Sequence, residues 1–274
     1  MNKKITFIGA GPGGYVAALQ AAQMGAEVTV IEKDTLGGVC LNWGCIPTKT
    51  LKRSAEIFAQ TGRLAEFGIR LDGEIKPDWA AIMTRKNRIV KTLVGGIENA
   101  FKAKKIKLIK GTAQIIDPHC VRVRDENGME TVVESDKLIL ATGSRPQPLP
   151  NLPFNGQTIL SSSDALTLEE IPAEILVLGG GVIGVEFAFI FNAFGTKVTV
   201  VEGLDRLLPL PSVDADSSKI LQREMKKKRI PFYPGKTVTR TETTPEGKIS
   251  LTLGPSPFLE TVSEKDKKEI DLQV

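Results

Sequence analysis

The chain has 274 residues, of which 41% are hydrophobic and 25% charged, a composition typical of a soluble globular protein with room for two domains. Its net charge of +4 comes from short lysine and arginine runs that aromatic residues do not interrupt, which argues against nucleic-acid binding. With three cysteines, no signal-peptide pattern and no apolar run of membrane-spanning length, the sequence predicts a cytoplasmic protein in a reducing environment, without membrane insertion.

The first predicted elements are a strand, a glycine-rich turn, a helix and a second strand. An apolar strand at 5–8 leads into the turn, a helix follows at about 13–24, and a β-branched strand runs into Glu32. In such a unit the first glycine allows a tight bend, the second lets backbone N–H groups approach a pyrophosphate, and the third lets the helix pack on the strand. A carboxylate after the second strand can accept both hydroxyls of an adenosine ribose. The predicted dinucleotide site comprises Gly9, Gly11, Gly14 and Glu32.

A cysteine pair follows this unit, in the sequence GGVCLNWGCIPTK. Cys40 and Cys45 are five positions apart, a spacing that in a regular α-helix separates Cα atoms by about 8.7 Å. A disulfide requires less than about 7 Å, so a bonded pair needs an interrupted helix, for which Gly44 and Pro47 are suited. A strained or exposed disulfide has the higher reduction potential that a catalytic pair requires.

Metal binding, a structural disulfide and two inert thiols are alternatives to a redox pair. A metal site would need further cysteine or histidine ligands, and His119 and Cys120 are remote in the sequence. A structural disulfide is disfavoured in a reducing compartment, and inert thiols leave the glycines and the Pro-Thr-Lys segment around the pair unexplained. We therefore predict a redox pair, no metal site, a turn role for His119 and a half-buried structural role for Cys120.

The second half of the chain repeats the first. Residues 179–203 follow the pattern of residues 9–33, with each landmark 170 positions later. Two such units predict two nucleotide sites in an α/β fold, with Rossmann-like domains around parallel sheets at 1–147 and 148–274. The carboxylate of Glu202 would repel a ribose 2′-phosphate, so the second site should prefer NAD to NADP. The residues of the second site are Gly179, Gly181, Gly184 and Glu202.

The segment 37–49 resembles the active-site signature of the pyridine nucleotide–disulfide oxidoreductases. Its Cys-Leu-Asn-x-Gly-Cys-Ile-Pro form is most similar to the dihydrolipoamide dehydrogenase group of that family, in which a smaller residue usually replaces Trp43. The resemblance extends over essentially the whole chain, including LILATGSRP at 138–146 and GGGVIGVE at 179–186.

The resemblance implies FAD at the first unit and NAD at the second, with electrons passing between a dithiol, the cysteine pair and the two cofactors. Cys45 would exchange electrons with the flavin, and Cys40 would exchange with the dithiol or lipoyl substrate. Lys49 would pair with Glu186 near the flavin N5. Further contacts implied in this way are Lys33, Gly38, Gly111, Ala113, Thr142, Gly143 and Ser144 for FAD, and Val238 for NAD.

The resemblance also implies that the central and dimer-interface domains of the family lie outside this chain. Its last residues, 268–274, are expected to form a strand by analogy with 137–141. We therefore expect weak activity, no family homodimer interface, and a 2-oxo acid dehydrogenase complex as the possible partner. A mercuric or glutathione-type reductase, which generally prefers NADP, and a non-catalytic nucleotide-binding fragment are the alternatives.

Overall fold

The protein is described by a computed structural model, and the chain divides into two compact units. The described residues are 3–244, 248–259, 261 and 267–274. The first unit comprises Met1–Thr50 and Met83–Thr167, and the second comprises Leu51–Ile82 and Leu168–Val274. The predicted boundary after residue 147 separates the two nucleotide-binding domains, whereas these units are defined by how compactly the residues pack. The boundary therefore stays a prediction.

The first unit contains a parallel and an antiparallel sheet. Its strands are β1 (Lys4–Ile8), β2 (Glu27–Glu32), β3 (Lys107–Lys110), β4 (Thr112–Asp117), β5 (Cys120–Arg124), β6 (Glu130–Glu134) and β7 (Lys137–Leu140). The parallel sheet has the order β3-β2-β1-β7, and the antiparallel sheet has the order β4-β5-β6. The helices are α1 (Pro12–Gln23), α2 (Gly38–Trp43), α3 (Cys45–Thr61), α4 (Trp79–Ala103) and α5 (Ser162–Ala165), of which α3 and α4 continue into the second unit.

Strand β2, in the middle of the parallel sheet, is covered on both faces in this unit. Successive side chains of a strand point to opposite faces, so neighbours in β2 belong to different cores. Val30 packs with Ala18 of α1 and Phe101 of α4, whereas Ile31 packs with Val121 of the antiparallel sheet. The β-branched residues that predicted a strand into Glu32 therefore supply both cores.

The second unit repeats the arrangement of a parallel and an antiparallel sheet. Its elements are β8 (Glu174–Leu178), α6 (Val182–Ala193), β9 (Lys197–Glu202), α7 (Ala215–Lys227), β10 (Phe232–Pro234), β11 (Lys236–Thr243), β12 (Ile249–Pro255) and β13 (Ile270–Gln273). The parallel order is β10-β9-β8 and the antiparallel order is β11-β12-β13. Among the described residues, no helix combines the length and the apolar character needed to cross a membrane.

An aromatic cluster packs α6 within the second unit. The Trp79 ring meets Phe194 edge-on at a centroid distance of 5.5 Å, and Phe58 stacks on Phe194 at 5.9 Å. The Trp79 indole N–H donates to the carbonyl of Leu168 at 2.9 Å. The indole is therefore both buried and satisfied, which fixes its position in the core.

The last strand, β13, forms as the sequence predicts. It pairs antiparallel with its neighbour, whereas β7, the strand with which it was compared, pairs in parallel. β7 lies parallel to β1, whereas β13 lies antiparallel to β12. Leu272 stands opposite Leu251, and Ile270 stands opposite Leu253. These apolar cross-strand pairs stabilise the antiparallel register.

Candidate redox and nucleotide-binding site

The two cysteines of the predicted pair lie on either side of a break between two helices. α2 ends at Trp43 and α3 begins at Cys45, and Gly44 between them has φ −144° and ψ −110°. A Cβ at Gly44 would lie 3.0 Å from the carbonyl oxygen of Val39, so a side chain there would force the turn to shift. The predicted interruption is confirmed, and Gly44 provides it, while Pro47 lies in the first turn of α3, where helices tolerate proline.

The cysteine pair is in the dithiol form. All three cysteines fall in the described part of the chain and all are free thiols, so the expected disulfide is not present in this structure. Cys40 is half-buried, Cys45 is exposed, and their side chains form a hydrogen bond with each other. The structure therefore brings the two sulfurs together but describes the reduced pair.

The Cys40 thiol holds its proton more tightly than an ordinary cysteine. Burial raises its pKa, and Cys45 raises it further through the side-chain hydrogen bond and through charge repulsion. A backbone hydrogen bond from Cys45 and the positive charge of Lys49 act in the opposite direction and do not outweigh this. Lys49 is therefore close enough to act on the pair, as expected of a site residue. Glu186, its predicted partner, belongs to the other unit, and that pairing stays a prediction.

The two predicted ribose-binding carboxylates make equivalent hydrogen bonds in the two units. Glu32 accepts from the N–H of Ala10 at 2.7 Å and from the N–H of Asp34 at 2.8 Å. Glu202 accepts two N–H groups 170 positions later, at 2.6 and 2.8 Å; the donors are Gly180 and Leu204. Both carboxylates are therefore oriented by the backbone, and each oxygen keeps lone-pair capacity for a further hydrogen bond.

The glycines of the two turns also match in backbone geometry. Gly9 and Gly179 have φ values of 104° and 114°, in the left-handed region that favours glycine. A Cβ on Gly14 or on Gly184 would lie 1.9 Å from the carbonyl oxygen of the first glycine of its own turn. The third glycine therefore permits close contact between helix and turn, as the sequence predicts.

The residues present fit a dinucleotide at each turn. α1 and α6 both begin directly after the second glycine without a side-chain cap, which suits phosphate binding at the helix start. In α1, Pro12 has no N–H and the N–H of Gly14 donates to the carbonyl of Gly11 at 2.9 Å, so the N–H of Gly13 is the first-turn group left for phosphate. In the first unit a Cβ at Gly38 would lie 2.6 Å from the Cα of Gly11, so glycine keeps this approach open. These features are the ones that pyrophosphate binding requires.

The other expected FAD contacts follow the carboxyl ends of the parallel strands. Lys33 follows β2, Gly111 follows β3, and Thr142 to Ser144 follow β7. The N–H of Gly111 donates to the carbonyl of Glu32 at 3.0 Å, and Ala113 packs beside β5. Ligands of open α/β sheets bind at this edge. In the second unit, Val238 is buried in β11 at a register shift, and its role toward NAD stays a prediction.

The remaining histidine and cysteine have the structural roles predicted for them. His119 is exposed in the turn between β4 and β5, with Nδ1 3.0 Å from the carbonyl oxygen of Ser135. Cys120 is half-buried in β5. Within the described ranges, no three side chains of the metal-ligating types cluster.

One side chain beside the second carboxylate was not predicted. The ring of Phe258 lies against Gly203, the residue after Glu202. Phe258 is 55 positions further along the chain and in no motif, so no local pattern could identify it. The chain segments that meet here are far apart in sequence.

Family comparison places these features in a known class. The model of the pyridine nucleotide-disulphide oxidoreductases matches residues 3–273, and the chain belongs to this family. A dihydrolipoyl dehydrogenase of Bacillus subtilis (strain 168) is 40% identical over 241 residues, which cover 88% of this chain and 52% of the relative. A dihydrolipoyl dehydrogenase of Geobacillus stearothermophilus is 42% identical over 223 residues, covering 81% and 46%.

A solved structure confirms the predicted α/β fold. The crystal structure of LpdA from Mycobacterium tuberculosis superposes with a TM-score of 0.83 at 24% identity, covering 98% of this chain and 56% of that one. The chain thus spans about half the length of the relatives it matches.

Proposed function

We propose that the chain acts as an FAD- and NAD-dependent disulfide oxidoreductase of the dihydrolipoyl dehydrogenase type. The observation that supports this most is a dithiol at a helix break, in the same unit as a glycine turn with an oriented carboxylate. Cys40 and Cys45 are the proposed redox pair, and Lys49 and Glu186 are proposed to act beside the flavin. The family match and the dihydrolipoyl dehydrogenase relatives support the same reaction class.

The first turn is the proposed FAD site and the second is the proposed NAD site. Glu32 would hold the FAD ribose, and the exposure of Cys45 leaves room for a flavin beside its sulfur. When bound, FAD would accept an electron pair from the cysteines, and NAD would take it up as hydride. Glu202 is only 8% exposed and is held by two N–H groups, so a 2′-phosphate there would face a buried negative charge. We therefore propose NAD rather than NADP.

The proposed direction of disulfide exchange has the substrate thiolate attack Cys40, and the raised pKa of Cys40 is in keeping with it. A thiol with a raised pKa is a poor leaving group, so an incoming substrate thiolate is expected to attack the Cys40 sulfur of the oxidised pair. The Cys40–Cys45 bond then breaks and Cys45 leaves as a thiolate. The second substrate thiolate attacks the substrate sulfur joined to Cys40, which closes the substrate disulfide. Cys40 leaves with the electron pair and takes up a proton.

The substrate and partner are proposed from the relatives. The name dihydrolipoyl dehydrogenase indicates a lipoyl group or a small dithiol as the substrate of those proteins. We extend this substrate class to the present chain, together with a cytoplasmic location and docking to a 2-oxo acid dehydrogenase complex. Nothing in the described site requires a metal, a membrane or a nucleic acid for this chemistry.

The test is a flavin spectrum of the purified chain after incubation with FAD. We expect a yellow protein that gains a long-wavelength absorption band, from a thiolate beside the flavin, when one equivalent of dithiothreitol is added. Cys45→Ser should abolish the band. Cys120→Ser is the matched control, because Cys120 is a half-buried cysteine of the same unit, and it should leave the band unchanged.

Two outcomes would contradict the proposal. A colourless protein that binds NAD alone is the result expected of a non-catalytic nucleotide-binding fragment. A yellow protein whose flavin is reduced faster by NADPH than by NADH is the result expected of a mercuric or glutathione-type reductase.

A further inference from the structure

An aromatic ring lies on a glycine next to the second carboxylate. Gly203 directly follows Glu202, and a Cβ built on Gly203 would lie 3.1 Å from Cδ2 and 3.7 Å from Cε2 of Phe258. The ring therefore lies close to the volume that any larger residue at position 203 would need. Phe258 is nevertheless 65% exposed, so most of its surface is open to a ligand.

A series of hydrogen bonds positions the backbone segment that carries this ring. The N–H of Gly235 donates to the carbonyl of Leu204 at 2.7 Å, and the N–H of Ser256 donates to the carbonyl of Gly235 at 3.0 Å. The N–H of Phe258 donates to Oγ of Ser256, a buried residue, at 3.2 Å. The backbone of Phe258 is therefore held close to Gly203 by the second unit.

The same series connects the ring to the proposed ribose site. Leu204, which accepts from Gly235, also donates its own N–H to the carboxylate of Glu202 at 2.8 Å. In an adenosine whose ribose hydroxyls bind Glu202, the adenine base is one glycosidic bond from that ribose. An exposed phenylalanine ring offers such a base a stacking partner, because every base has a π-face.

We propose that Phe258 is an adenine-binding residue of the NAD site, and that glycine at position 203 lets the ring lie there without displacement. The inference rests on the proposed function, since it assumes that NAD binds at the second glycine turn. It adds the side chain that forms one wall of the adenosine pocket. No nicotinamide contact is involved, so the effect of this residue should depend on the adenine alone.

The test measures binding to the FAD-loaded chain by calorimetry, with ADP-ribose, NADH and nicotinamide mononucleotide as probes. Phe258→Ala should weaken ADP-ribose and NADH about fivefold or more, as expected for the loss of one base–aromatic stack, and Phe258→Trp should restore their affinity. Nicotinamide mononucleotide, which lacks adenine, should bind both variants and the parent chain alike. Phe67→Ala removes a ring that is 70% exposed elsewhere in the same unit, and it should change nothing.

A second variant changes the residue on which the ring lies, Gly203, and leaves the ring itself unchanged. Gly203→Ala places a Cβ 3.1 Å from Cδ2 of the ring, so the ring must shift and the variant should also weaken ADP-ribose binding. The double variant with Phe258→Ala should be no weaker than Phe258→Ala alone. Parent-like affinity in Phe258→Ala would overturn this inference and leave the proposed function intact. A parent chain that binds neither ADP-ribose nor NADH would overturn both, so the two failures are distinguishable.

Discussion

Cys40 titrates in an environment that disfavours its thiolate, with burial as the largest cause and the neighbouring Cys45 as the second. Because the thiolate is the reactive form, the pH at which Cys40 becomes nucleophilic lies above that of an ordinary thiol. When the reduced pair passes its electrons on and the Cys40–Cys45 bond re-forms, Cys40 must lose its proton, and a base would assist that step. Its role as the exchange thiol is a prediction that chemical modification can examine directly.

Alkylation of Cys40 by iodoacetamide, followed by mass spectrometry across pH, should show a midpoint above that of a free cysteine. Cys45→Ala removes the side-chain hydrogen bond and the charge repulsion that raise the pKa, so the midpoint should fall but stay raised by burial. Lys49→Met removes a positive charge that favours the thiolate, so the midpoint should rise. A midpoint that is the same in all three proteins would show that these neighbours do not control the thiol.

For single residues, the sequence identifies the charged groups of the two sites more readily than the side chains that contact them from distant parts of the chain. Glu32 and Glu202 were identifiable because each follows a β-branched strand at a fixed distance from a glycine turn. Phe258 was not identifiable, because its contact with Gly203 depends on a long-range approach of chain segments. Local spacing carries no information about such an approach.

Each glycine turn packs against its helix only because one helix residue lacks a Cβ. In α1, Gly13 and Gly14 are adjacent, yet a Cβ on Gly13 would meet nothing within 4 Å, whereas one on Gly14 would lie 1.9 Å from the carbonyl oxygen of Gly9. One position is therefore glycine by steric requirement and the other is not. The matching glycine in α6, Gly184, has the same close contact with its own turn.

Alanine at Gly13 and alanine at Gly14 should change the free energy of unfolding in opposite directions. Gly14→Ala should lower the free energy of unfolding by about 1–3 kcal/mol, because the helix must move away from the turn. Gly13→Ala should raise it by up to about 1 kcal/mol, because alanine is the better residue within a helix. Urea unfolding measures both, and equal destabilisation by the two variants would contradict the steric explanation.

The helix and strand bounds around these turns follow from periodicity and were largely predictable. The expected helix at about 13–24 is Pro12–Gln23, and the expected break between the cysteines occurs at Gly44. The antiparallel partner of β13 was not predictable, because strand pairing depends on which edge is available in three dimensions. The local pattern of Ile270–Gln273 indicates a strand without indicating its neighbour.

At the scale of the whole molecule, the chain spans about half the length of its dihydrolipoyl dehydrogenase relatives. The Cys40 thiol needs a base, and the single histidine of the sequence, His119, is exposed in a hairpin turn beside Ser135. A positioned general base typically contributes about 10² to 10⁴ in rate. We therefore predict slow electron transfer through Cys40 even when both cofactors are bound.

The corresponding measurement is NAD-dependent oxidation of dihydrolipoamide by the purified, FAD-loaded chain. We expect a turnover at least about 10²-fold below that of a dihydrolipoyl dehydrogenase relative assayed in parallel. The flavin content of the same sample serves as the control, since a loss of FAD would lower the rate for a different reason. Turnover close to that of the relative at full flavin content would show that the chain supplies its own base.

The aromatic cluster in the second unit has a spectroscopic consequence for the whole chain. The sequence has only two tryptophans, and the structure puts the half-buried Trp43 in one unit and the buried Trp79 in the other. Their emission maxima should differ, because an indole in water fluoresces at longer wavelength than one among phenylalanine rings. Each unit thus has its own fluorophore, and Trp43→Phe and Trp79→Phe would report whether the two units melt together or one after the other.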